Sequence, residues 1–175
     1  SFIAKNYPQS SFALKCAQVT LAAYVRAYNA LPEGEREFEA AQMAEIAAYM
    51  GKQWPGAAEA SEAWMTLAEI AISEGDRQGA IEYVRNIPDD SPKRGQADLM
   101  AGRELWNLYL QRSHDESQPL SSEDAEAMVA EAKQMLERGI ASMREAGGAG
   151  NFRLVSAELS LAQILVGSSE FDEAI

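Results

Sequence analysis

Between Ser61 and Val84 the apolar residues keep helical spacing on both sides of a single break. Trp64, Leu67, Ala68, Ala71 and Ile72 fall on one helical face, Gly75-Asp76 interrupts, and Ala80, Ile81 and Val84 resume the period. The stretch reads as a helical hairpin. Gly75 can take the left-handed conformation that ends a helix, and Asp76 can cap the next one. Small residues at Ala68 and Ala80 let the two helices approach closely, while Trp64, Leu67 and Val84 fill the space around that contact.

The same logic extends in both directions. Phe2 to Asn6 looks like the end of a helix, closed by Tyr7-Pro8. From Ser11 to about Asn29 the residues Leu14, Ala17, Leu21, Val25 and Tyr28 keep a 3.5-residue rhythm behind a Ser cap. After Pro32 and Gly34, a helix from about Glu35 to Met50 carries Phe38, Ala41, Met43, Ile46, Ala47 and Met50, with Gly51 expected to stop it. Ser91 is placed to cap a helix with Pro92 in its first position, reaching about Gln111 and carrying Leu105, Trp106, Leu108 and Tyr109. Ser113 to Pro119 is polar and unpatterned, a loop. Ser121-Ser122-Glu123-Asp124 opens a long helix through Met128, Ala132, Met135, Leu136, Ile140 and Met143. Beyond Gly147-Gly148-Ala149-Gly150, a last pattern runs through Leu154, Ala157, Leu161, Ala162 and Leu165, and Phe171-Ile175 looks like the first turn of another helix.

Composition sharpens the class. With 47% hydrophobic residues but only 8% aromatic ones, and 31 alanines among 175 residues, closely packed helices are favoured over a sandwich or barrel. The expected class is all-α with about eight helices. Fifteen Lys and Arg against 27 Asp and Glu give a net charge of −12, which repels phosphate backbones and argues against a nucleic-acid partner. No run of about 18 apolar residues is present, so membrane insertion is not expected. The single Cys16 has no internal disulfide partner and, in an apolar helical pattern with Ala13, Ala17 and Thr20, reads as a small core residue.

Signals for chemistry are missing. The only histidine, His114, has no Ser or Cys at a suggestive spacing, so no catalytic residue is assigned. Gly75 to Gly79 lacks the Lys-Ser or Lys-Thr of a phosphate loop. The acidic pairs Asp89-Asp90, Asp115-Glu116 and Glu123-Asp124 lack the alternating ligands and central Gly of a calcium loop. Neither a metal nor a cofactor is expected.

The hairpin resembles a tetratricopeptide repeat. Trp64, Leu67-Ala68, Gly75, Ala80 and Pro92 stand at the Trp, Leu-Gly, turn-Gly, second-helix Ala and closing Pro of that pattern, with Ala71 and Val84 smaller than its usual aromatics. Ala101-Gly102 matches Leu-Gly again behind Pro92. The spacing from Leu161 to Ala174 repeats that from Leu67 to Ala80. Tyr7-Pro8 and Trp54-Pro55 resemble the junctions of bacterial envelope members, of the outer-membrane assembly lipoprotein and Tol–Pal coordinator type, which leans towards a periplasmic setting and leaves the compartment open. The resemblance implies a right-handed superhelical solenoid of antiparallel hairpins, roughly 10–51, 58–87, 92–146 and 151–175.

The resemblance also implies a concave surface on the first helix of each repeat. Carried over, its lining is Glu62, Met65, Glu69, Ile72 and Ser73 from one repeat and Gln96, Leu99, Arg103, Trp106 and Asn107 from the next. It implies a non-catalytic scaffold that binds a protein or peptide in this groove, one combining basic and hydrophobic groups. A spacer or oligomerisation segment, or a regulatory domain of a larger protein, are the alternatives. Self-association through the terminal repeats is expected, with Leu161 and Leu165 more exposed than Leu67 and Ala71.

Overall fold

The computed structural model describes residues 2–115, 119–147 and 152–167. Among them are eight α-helices and no strand: α1 (Phe2–Asn6), α2 (Ala13–Ala30), α3 (Glu37–Gln53), α4 (Ala58–Ser73), α5 (Arg77–Arg85), α6 (Arg94–Ser113), α7 (Ser122–Glu145) and α8 (Phe152–Gly167). The expectation for Phe171–Ile175, and for Gly148 to Gly150, lies outside the described residues. Each helix packs on its neighbours in the chain, and α2 also meets α4 while α6 also meets α8.

The central hairpin follows its sequence. Gly75 has φ +82° and ends α4, with Gly75 N–H and Asp76 N–H donating to the carbonyls of Ile72 and Ala71. Asp76 Oδ1 accepts from Gly79 N–H at 2.9 Å, which requires Gly79: a Cβ there would meet the Asp76 carboxylate at 2.1 Å. Ala68, Ala80 and Val84 are fully buried at the contact.

Three helix boundaries depart from the sequence reading. Gly51 does not stop α3, which runs on to Gln53. The stop is Pro55, since the residue before a proline is forced out of the helical region, and Trp54 there has φ −136° and ψ 60°. Gly51 is instead where the Trp64 indole crosses, its Nε1 only 3.2 Å from a Cβ built on that glycine. Helix α6 begins at Arg94, two residues after Pro92. Ser91 does not cap it, because its hydroxyl accepts from Lys93 N–H at 3.1 Å and shares a hydrogen bond with buried Ser61 at 2.7 Å. Helix α2 begins at Ala13, with the Ser10 hydroxyl taking Phe12 N–H at 3.3 Å. Ser121 does cap α7, accepting from Asp124 N–H at 3.0 Å.

Two expected core positions on α3 are surface residues. Phe38 is exposed and meets Tyr24 edge-on at 6.4 Å, and Ala41 is exposed as well. They lie in the first turns of α3, while the packing against α2 and α4 is carried by Met43, Ile46, Ala47 and Met50.

Helices α6 and α7 make the closest pair. Added Cβ atoms would meet Leu136 at 2.9 Å from Gly102, and Leu99 at 2.7 Å and the Gly95 carbonyl at 2.8 Å from Gly139. Glycine at these sites brings the backbones together. Because α5, α7 and α8 all pack on it, α6 is buried nearly all round, including Asp98 and Glu104.

Tyr28 ties α2 to the hairpin turn. Its hydroxyl donates to Glu74, and the Arg36 guanidinium lies over its ring at 5.0 Å. Burial, then the Glu74 hydrogen bond, push its pKa from an ordinary 10 up to about 12, with Arg36 opposing. The folded state therefore holds the phenol proton more tightly than the unfolded one. That stability is complete below pH 10 and is lost as pH rises to about 12. Denaturant titrations from pH 9 to 12 should show a steeper loss in the wild type than in Tyr28→Phe. Parallel losses would refute the linkage.

Candidate functional site

Two hollows lie on the helices that alternate along the chain. The larger, about 530 Å³, runs between α2 and α4. Its floor is apolar: Val19, Leu21, Ala22 and Val25 from α2 and Ala63 from α4. Val19 and Ala22 are exposed here, Val19 at 60%. The rim is charged, with Lys15 and Arg26 on the α2 side and Glu59 and Glu62 on the α4 side. Lys93 holds Glu62 at 2.7 Å.

The smaller hollow, about 140 Å³, joins α4, α6 and α8 through Glu69, Ile72, Gln96, Leu99, Arg103 and Arg153, among others. Arg153 pairs with Glu69 at 3.1 Å. Buried Glu104 also lines it, 3.4 Å from Arg77 and 3.9 Å from Arg103.

The carried-over residues divide between these hollows and the interior. Glu62 borders the larger one, and Glu69, Ile72 and Arg103 border the smaller with Gln96 and Leu99. Met65 is buried in the core around α4. Trp106 is buried as well: its indole N–H donates to Gln163 of α8 at 3.1 Å, and its ring stacks on Tyr109 at 5.1 Å. Trp106 thus joins α6 to α8, and its remaining edge borders a separate hollow with Tyr109, Val129 and Ile164. Ser73 hydrogen-bonds the Ile70 carbonyl at 2.7 Å. On α2, Thr20-Leu21-Ala22 repeats Thr66-Leu67-Ala68 without a tryptophan, no lining was carried over to it, and the exposed apolar Val19 and Ala22 were the available signal.

Elsewhere, the His114 Nδ1–H donates to the Leu110 carbonyl at 2.7 Å and closes α6. Cys16 is half-buried against the core. Among the described residues, no three His, Cys, Asp or Glu are grouped to hold a metal ion, and no helix is long and apolar enough to cross a membrane.

Outward on α8, Phe152, Val155, Leu159 and Val166 are exposed. Leu161 is half-buried where Leu67 is buried, as expected, whereas Leu165 is 4% exposed against 5% for Ala71. Leu165 packs towards the body rather than away from it, so its expected exposure does not hold. No protein family, curated protein or solved structure matches the chain.

Proposed function

We propose that this chain is a tetratricopeptide-like solenoid whose role is to bind a protein or peptide, without chemistry of its own, on the face formed by α2, α4, α6 and α8. The observation that carries this reading is the apolar-floored groove between α2 and α4, continued by the smaller hollow between α4, α6 and α8. The contacts of α2 with α4 and of α6 with α8 support the solenoid, since alternate helices of stacked hairpins meet in that way. An apolar trough with a charged rim fits a helix or an extended segment laid along it. A basic ligand drawn by Glu62 and Glu69 would have to displace Lys93 and Arg153, which already hold them.

The test selects binders from a random peptide library on the folded chain and measures them by titration calorimetry. Ala22→Arg with Thr66→Arg, both lining the groove, should weaken groove binders at least tenfold without lowering the melting temperature. If the selected peptides bind this variant as they bind the wild type, the groove is not the binding surface. A library that returns no binder would favour the architectural alternative.

A further inference from the structure

We infer that the α2–α4 groove takes an amphipathic helix of a partner protein whose apolar stripe is flanked by carboxylates, those carboxylates lying along α2. This rests on the groove reading above and adds the chemistry of the occupant.

Lys15 and Arg26 are exposed at the two ends of the α2 wall and have no ion-pair partner among the described residues. Most other cations of the chain are held: Lys5, Arg36, Arg77, Arg85, Lys93 and Arg94 all face carboxylates within 4 Å. Among the described residues Lys52 and Arg112 also lack an ion pair, but each stands singly beside a different hollow; only on α2 do two such cations flank one apolar trough, in a chain of net charge −12. They are eleven residues apart, about 16 Å along a helix, which is three turns of an opposing helix. Between them Val19, Ala22 and Val25 repeat at spacings of three, so an occupant with apolar residues at helical intervals meets them in register. Across the trough, Glu62 is neutralised by Lys93, and Glu59 is the one free carboxylate of the rim. The α2 wall therefore selects the sign of the ligand's flank.

The chain's overall field opposes an acidic ligand, so a preference for one would report the local rim. Two synthetic 18-residue helical peptides provide the probe, each with a Leu and Ala stripe, one flanked by Glu and the other by Lys at the same positions. At about 0.15 M salt, where charges beyond roughly 8 Å are screened, the Glu peptide should bind about tenfold more tightly, the combined effect of two rim attractions in place of two repulsions. Lys15→Glu with Arg26→Glu should reverse that order, while both exposed substitutions leave the melting curve unchanged. Equal binding of the two peptides, or a preference for Lys, abolished in each case by Ala22→Arg, would overturn the acidic occupant and leave the groove in place. Binding indifferent to Ala22→Arg, or no binding of either peptide, would overturn both.

Discussion

Trp64→Ala should destabilise the protein by about 3–5 kcal/mol, the usual range for deleting a large buried aromatic. The indole is only 9% exposed and stacks on Tyr83 of α5 with ring centres 6.0 Å apart and planes 25° apart. On its other side it crosses α3 at Gly51, where nothing larger than hydrogen stands between the backbone and the ring. One side chain thus holds α3, α4 and α5 together. A truncation here leaves a cavity walled by three helices, and none of them can collapse into it without losing its other contacts. For a chain of this size each kcal/mol shifts the melting temperature by about 2–4 °C, so a fall of about 10 °C is expected in a thermal scan followed by circular dichroism. A loss below about 1 kcal/mol in denaturant titrations would mean that the neighbours refill the space, and that the hairpin does not depend on its tryptophan.

That hairpin was legible because its signals are local. Helical spacing, a glycine for a positive φ and an aspartate for a cap all act within a few residues, and Gly75, Asp76, Ala68 and Ala80 do what their positions suggested. Boundaries set by distant packing were not legible. Gly51 looks like a helix stop in sequence, yet its lack of a side chain serves the Trp64 crossing thirteen residues later, and the stop is left to Pro55. Gly139 gives no sign in sequence that it admits Leu99 of another helix.

The groove divides in the same way. The repeat resemblance implied a shared face for Ile72, Glu69 and Arg103, and they do border one hollow. That Glu62 and Glu69 are already engaged could not be seen, because Lys93 and Arg153 come from 31 and 84 residues away. Trp106 fits either the groove or packing against the neighbouring repeat in sequence, and its burial follows from α6 being enclosed on three sides.

Asp98→Ala should be as costly as the loss of Trp64, about 3–5 kcal/mol, although Asp98 carries no pattern that marks it in the sequence. Its carboxylate is 1% exposed and is held by two guanidinium groups. Arg138 of α7 donates to both oxygens, at 2.9 and 2.8 Å, and Arg94 of α6 donates to Oδ1 at 2.9 Å. The two arginines are not equivalent. Arg138 keeps 45% of its side-chain exposure and can hydrate if Asp98 is removed, whereas Arg94 keeps 16%. Arg94 also donates to the Ile87 carbonyl at 2.7 Å and faces Asp89 at 2.9 Å, so it anchors the connection between α5 and α6. Removing Asp98 leaves the half-buried Arg94 with the exposed Asp89 as its one carboxylate, and more of the penalty should come from Arg94 than from the lost contact with α7. A double-mutant cycle separates the two contributions. In an Arg94→Met background, Asp98→Ala should cost at least 1 kcal/mol less than in the wild type, since no half-buried guanidinium then loses its most shielded carboxylate. In an Arg138→Met background the saving should be smaller, because that cation reaches water. Equal savings in both backgrounds would show that the bidentate link between α6 and α7, and not the half-buried charge of Arg94, sets the cost.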